Sequence, residues 1–179
     1  PTTNDFRNVF DPHQGDLRKR ILSADKYSGV EEMDIFLYYR GYGEWVDGKP
    51  LLIPKNAKIT RNITKYPLEQ LVKNLSLLSV LGNIKTITLF LDITYTNPKK
   101  STGSNWDFPD LSEKICILSA ASDGETSQVY GEKKHSLFTY ALLKGFAGSA
   151  DDGDSVLELG ELTEYVYKVV PEYSRTLSN

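Results

Sequence analysis

The chain has 179 residues, enough for one domain able to bury roughly two thirds of its unfolded surface. Hydrophobic residues make up 40% and charged residues 25%, with a formal net charge of -3, so nothing draws it toward a nucleic-acid polyanion. Cys116 is the single cysteine, which excludes an intrachain disulfide and a thiolate metal cluster, and His13 and His135 lack ligand-like spacing.

No apolar run reaches the ~20 residues of a membrane span, and PTTNDFRNVF lacks the basic and apolar regions of a signal peptide. A cytoplasmic location is the expectation. Lacking an initiator methionine, the sequence is read as a piece of a longer protein. Residues 1–15 are read as an extended or unassigned segment.

In chain order, DLRKRILSADKY at 16–27 places Leu17, Ile21, Leu22 and Ala24 on one helical stripe, with Arg18, Lys19 and Arg20 on a solvated face. After Asp34, IFLYY reads as a buried strand, and Arg40-Gly41-Tyr42-Gly43 as the loop at its end. Asp47-Gly48-Lys49-Pro50 is a turn signal before Leu51-Leu52-Ile53, consistent with a short hairpin stopped by Pro54. Leu68, Leu71, Val72, Leu75 and Leu78 recur at helical spacing, with Asn62 or Thr64 as cap and Gly82 as terminator. Thr86 to Leu91 is a second buried strand ending in Asp92.

Residues 96–110 form a polar loop of about 15 residues, long enough to imply a function of its own, and Trp106 and Phe108 make it a plausible contact surface. Ile115 to Ala121 is a third apolar strand. Ser136 or His135 starts the helix LFTYALLKGF, and Leu159 to Val170 forms a last helix stopped by Pro171. Strands that are continuously apolar rather than alternating predict an α/β fold: one domain over 1–179, a mainly parallel sheet, and helices on both faces. In such a sheet the site lies beyond the strand C-termini. Those ends are Gly41-Tyr42-Gly43, Asp92-Ile93-Thr94-Tyr95 and Ala121-Ser122-Asp123-Gly124.

At these segments the sequence resembles the caspase-like peptidases, in particular their bacterial and metacaspase-like branch. Tyr39-Arg40-Gly41-Tyr42-Gly43 stands where that family carries Tyr-Ser-Gly-His-Gly, and the Asp47 to Pro54 stretch resembles the segment that the family carries next. Asp92-Ile93-Thr94-Tyr95-Thr96-Asn97 stands where the family has Asp-Ala-Cys-Phe-Ser-Gly. Leu118 to Ser122, Tyr130-Gly131-Glu132 and Leu137 to Leu143 resemble the small-subunit region. The resemblance spans roughly residues 34 to 167 in order. It implies that Tyr42 replaces the histidine base and Thr94 the cysteine nucleophile.

That exchange removes the chemistry. A cysteine is a few per cent thiolate at neutral pH, whereas Thr94 has no such population. A phenol with a pKa near 10 acts as base at pH 7 only at a cost of about 4 kcal/mol. Cys116 reads as a small buried hydrophobe and His135 as a capping or surface residue. The expectation is a pseudo-peptidase without cofactor that regulates, scaffolds or binds peptide. Its partner would be a peptide, an active homologue, other domains of its parent chain or a second copy. The alternatives are an atypical peptidase using Thr94 with Tyr42, and a structural domain with a self-filled cleft.

The resemblance implies that Asp92 lines an acidic pocket for a basic side chain, with Tyr95 and Ser122 as further peptide contacts. Arg40, in place of a small residue, either joins that site or fills it from within by pairing with Asp92. Finally, residues 150–161 partly follow a calcium-binding loop, with Asp152, Asp154 and Glu161 as weak ligand candidates and Ser155 where that loop requires glycine. A solvated turn at a helix start reads better.

Overall fold

In a computed structural model, residues 1–27, 31–58, 60–96, 108, 110–121, 127–131 and 134–177 are described. The chain divides into two compact units, 1–125 and 126–179.

The first unit is built on a five-stranded sheet. Its elements are α1 (Thr3–Phe10), α2 (Asp16–Tyr27), β1 (Met33–Val46), β2 (Lys49–Ile53), β3 (Tyr66–Pro67), α3 (Leu68–Leu78), β4 (Ile84–Tyr95) and β5 (Ile115–Ser119). The strand order is β3-β2-β1-β4-β5. β1 pairs with β4 and β4 with β5 in parallel, but β2 pairs antiparallel with both β1 and β3. The sheet is therefore mixed, and the expectation of a mainly parallel one is overturned. The cause is local: Asp47 and Gly48 both take positive φ (51° and 74°), the two-residue turn that folds a strand straight back on its neighbour. A parallel return would need a crossover, and two residues cannot make one.

The helices of this unit share one face of the sheet. Phe6 of α1, Ile21 of α2 and Leu68, Leu71, Val72, Leu75 and Leu78 of α3 form a single core with Ile87, Leu89, Leu91 and Ile93 of β4. Within residues 1–15, expected to be extended or unassigned, Thr3–Phe10 is thus a helix with a reciprocal capping box between Thr2 and Asp5. Phe6 stacks on Tyr66 (ring centroids 4.9 Å apart) and meets Tyr39 edge-on (5.5 Å). Neither Asn62 nor Thr64 caps α3; Pro67 occupies that position, while Thr64 ties the loop before it to Lys58 and Arg61.

Both long strands overrun their expected ends. β1 continues through Arg40-Gly41-Tyr42-Gly43, and β4 through Asp92 to Tyr95. The glycines read as loop residues are instead small residues on the core side of β1. A Cβ at Gly41 would collide with the Tyr39 phenol, and one at Gly43 with Ile93 and Tyr95.

Burial beneath Phe6 has a titratable consequence. It pushes the Tyr39 phenol up to about 12, because the phenolate would lose its water there. Tyr39 therefore stabilises the fold fully below pH 10, and that contribution is lost as pH rises from 10 toward 12. Alkaline unfolding curves should show this loss in the native protein and not in Tyr39→Phe. An ultraviolet phenol titration would place the same transition.

The second unit contains a short antiparallel hairpin, β6 (Val129–Tyr130) with β7 (His135–Ser136), then α4 (Leu137–Lys144) and α5 (Leu159–Leu177). Ser136 caps α4 by accepting the Thr139 N–H at 3.0 Å. The two helices meet where Gly145, just past α4, lies against Leu162 of α5. Pro171 does not stop α5, which runs on to Leu177. Beyond it, Tyr173 packs against Tyr130 (5.8 Å) and Tyr140 (5.6 Å), side-chain contacts that hold the last turns in spite of the proline. Among the described residues, no helix is long and apolar enough to cross a membrane.

Candidate functional site

Parallel pairing of β1 with β4 decides what shares a face. The register sets Tyr38 opposite Phe90, Arg40 opposite Asp92, and Tyr42 opposite Thr94. Side chains alternate along a strand, so these residues project from the face opposite the helix-covered core. β5 adds Cys116 and Leu118 to the same face, opposite Thr88 and Phe90.

The two positions singled out for nucleophile and base, Thr94 and Tyr42, are therefore immediate cross-strand neighbours. Both are strand residues with hydroxyl groups. Among the described residues, no hydrogen bond joins their side chains. Tyr42 is more than half exposed and Thr94 partly so. A phenol and a secondary alcohol side by side can donate and accept hydrogen bonds but carry no thiolate or imidazole.

One step along the face, Arg40 meets Asp92. The guanidinium Nε lies 3.5 Å from Asp92 Oδ2, and the Tyr38 hydroxyl donates to the same oxygen at 3.2 Å. Asp92 is 2% exposed, while the Arg40 side chain is 45% exposed. A carboxylate so removed from water needs such partners, since an isolated buried charge costs several kcal/mol.

Tyr95, expected among the peptide contacts, faces the other way. It is buried in the core with its ring 5.6 Å from Trp45, as strand alternation from Thr94 dictates. Ser122 lies outside the described residues, as do Asp123, Gly124, Asn97, Trp106 and Glu132. Cys116 is a free, partly buried thiol on β5, and burial raises its pKa, which keeps it protonated at neutral pH. His135 is a residue of β7 paired with Tyr130.

In the second unit, the carboxylates of Asp151, Asp152 and Asp154 converge to within 4.8 Å of one another. Glu161 does not join them as a free ligand: its two oxygens accept the backbone N–H groups of Asp152 (3.1 Å) and Glu158 (2.8 Å). It thereby closes the turn onto the start of α5. Asp151 and Asp154 likewise accept N–H groups of the turn, from Gly153 and Val156. Such carboxylates at a helix N-terminus are stabilising without a metal.

Ser155 sits in this turn at φ 68°, a left-handed conformation that glycine adopts without strain. Ser155→Gly should therefore raise stability by about 0.5–1 kcal/mol in urea unfolding. A loss of stability would show that its side chain, not its backbone, matters.

The sequence reading missed the participation of Tyr38, and it placed Tyr42 and Thr94 together through the resemblance rather than through strand register. Alternation held the signal: 38, 40 and 42 must share a face once that stretch is strand rather than loop. Compared with protein-family models and with curated proteins, the sequence matches none.

Proposed function

We propose that this chain is a non-proteolytic, caspase-like domain that acts as a scaffold or regulatory module by contacting protein or peptide. The observation that carries the reading is the cross-strand pair Tyr42–Thr94, where that kind of peptidase requires imidazole and thiol. Hydrolysis of an amide needs a nucleophile that is ionised or beside a base. Neither hydroxyl meets that need: a phenol and a secondary alcohol side by side supply neither a thiolate nor an imidazole. The caspase-like reading rests on motif order in the sequence, and the mixed sheet departs from the mainly parallel one that the continuously apolar strands predicted.

The partner is another protein, a peptide segment, a second copy or further domains of the parent chain, and the setting is the cytoplasm. A second reading, a structural domain whose cleft is filled by its own side chains, is favoured by the Arg40–Asp92 pair. Electrophilic labelling tests the first. The purified chain is incubated with arginyl and aspartyl peptide chloromethyl ketones, and its intact mass is measured. No adduct is expected on Thr94. A stoichiometric adduct that disappears in Thr94→Ala would overturn the reading.

A further inference from the structure

We infer that the outer edge of β1 pairs with a second copy of this chain, whose own β1 adds antiparallel to it with Leu37 on the two-fold axis. The inference rests on the proposed contacting role for its purpose, naming one partner, and on the edge of the sheet for its geometry.

The edge is open because β2 is short. β1 runs from Met33 to Val46, but β2 pairs only with residues 42–46 and ends at Ile53, where Pro54 follows. Among the described residues, no strand runs beside residues 33–41 on that side. Val46 and Lys49 close the two-residue turn, and a pair in that place exchanges its hydrogen bonds. Tyr42, Glu44 and Val46 thus turn their main-chain groups toward β2. Gly43, one residue out of phase, accepts the Thr96 N–H at 2.9 Å from the β4 side. Carried back along β1, the same alternation directs the main chain of Asp34, Phe36, Tyr38 and Arg40 to the outer edge.

The apolar row of β1 is unfinished along the same stretch. Ile35, Leu37 and Tyr39 lie on the core side yet are only half-buried. Their partners on β4, Ile87, Leu89 and Leu91, are at most 1% exposed. A long strand edge of this kind is a template for another strand, and residues 33–41 hold neither the proline nor the lysine that keep such edges apart.

Charge selects the occupant and the register. Strands that meet antiparallel about Leu37 set Asp34 opposite Arg40 of the second copy, Phe36 opposite Tyr38 and Leu37 opposite Leu37, and the two-fold repeats each pair. Every residue whose main chain turns outward then meets another of that kind, as an antiparallel ladder requires. Opposite charges and aromatic rings both gain from direct cross-strand placement. A shift by two residues in either sense sets Asp34 against a tyrosine instead.

The test uses the whole chain and reads its mass by analytical ultracentrifugation over rising concentration. The unaltered chain is expected to dimerise. Asp34→Lys and Arg40→Glu each set like charges opposite one another twice per dimer, so each alone should raise the dimer dissociation constant at least about tenfold. An equimolar mixture of the two variants restores both opposite-charge pairs, and its association should return toward that of the unaltered chain. A monomer at every concentration would overturn the inference, as would a dimer that both substitutions leave intact or a mixture that associates no better than either variant. Arg40 also contacts Asp92, so a second measurement avoids it. In a Cys116→Ser background, Leu37→Cys should form an intermolecular disulfide with diamide, because facing residues that exchange no hydrogen bonds lie about 4.5 Å apart. Ile35→Cys should form none. Equal yields at the two positions, or none at either, would overturn the register. An adduct on Thr94 in the labelling experiment would overturn the non-proteolytic reading and leave this edge standing, whereas a monomeric chain would remove the edge and leave that reading.

Discussion

Phe6→Ala is expected to destabilise the chain by about 3–5 kcal/mol in urea unfolding, with the midpoint falling and the slope little changed. Phe6 is 3% exposed and its ring contacts Tyr66, Tyr39 and Phe10. An eight-residue helix has no independent stability, so α1 depends on this docking and on the bonds of Thr3 to Asn56 and Thr64. Alanine leaves a cavity between α1 and the sheet and gives Tyr39 back some of its water. The Tyr39 phenol should then titrate closer to 10 than to about 12. A loss below about 1 kcal/mol would mean that α1 contributes little to the fold.

Glu44→Ala should be about as costly, roughly 3 kcal/mol, for an electrostatic reason. Lys65 is buried, its side chain 1% exposed, and its ammonium pairs with Glu44 and donates to Asn62 Oδ1 at 3.0 Å. Removing the carboxylate strands a buried cation with one neutral partner. The pair joins the end of β1 to the segment leading into β3, so its loss should loosen the hairpin first. Lys65→Met together with Glu44→Leu should recover most of the stability, because a well-packed apolar pair avoids the desolvation cost. If Glu44→Ala alone is neutral in urea unfolding, the pair is solvated rather than buried.

These sites show what the residues disclose before folding and what they do not. The leucine ladder of α3 was legible because a 3.6-residue period survives in the sequence as Leu68, Leu71, Val72, Leu75 and Leu78. The Asp47-Gly48 turn was legible too, since those residue types favour positive φ. Its short length forces the antiparallel return that the hairpin reading already held, and counting that hairpin into the sheet, which the continuous apolar strands discouraged, makes the sheet mixed. Strand ends were hidden for another reason. Gly41 and Gly43 look like loop residues, but their missing side chains make room for Tyr39, Ile93 and Tyr95. Only the fold supplies those neighbours.

The same lesson holds for the candidate site. Arg40 and Asp92 are 52 positions apart, and their pairing depends on the register of β1 against β4, which no local pattern encodes. That register also sends Tyr95 into the core one residue after Thr94. Asp92 and Arg40 could be nominated as partners from their charges alone. The hydroxyl of Tyr38, the third member of the cluster, could not be separated from the other tyrosines without the face it lies on.

The central claim is that the face carrying Tyr42 and Thr94 does not cleave peptides. Its most direct test is peptidase activity of the purified chain against a mixed library of arginine-, lysine- and aspartate-containing peptides, with and without calcium, beside Thr94→Ala. The expected result is no cleavage above that of the variant under either condition. Cleavage by the unaltered chain that is lost in Thr94→Ala would contradict the account and make the threonine a nucleophile.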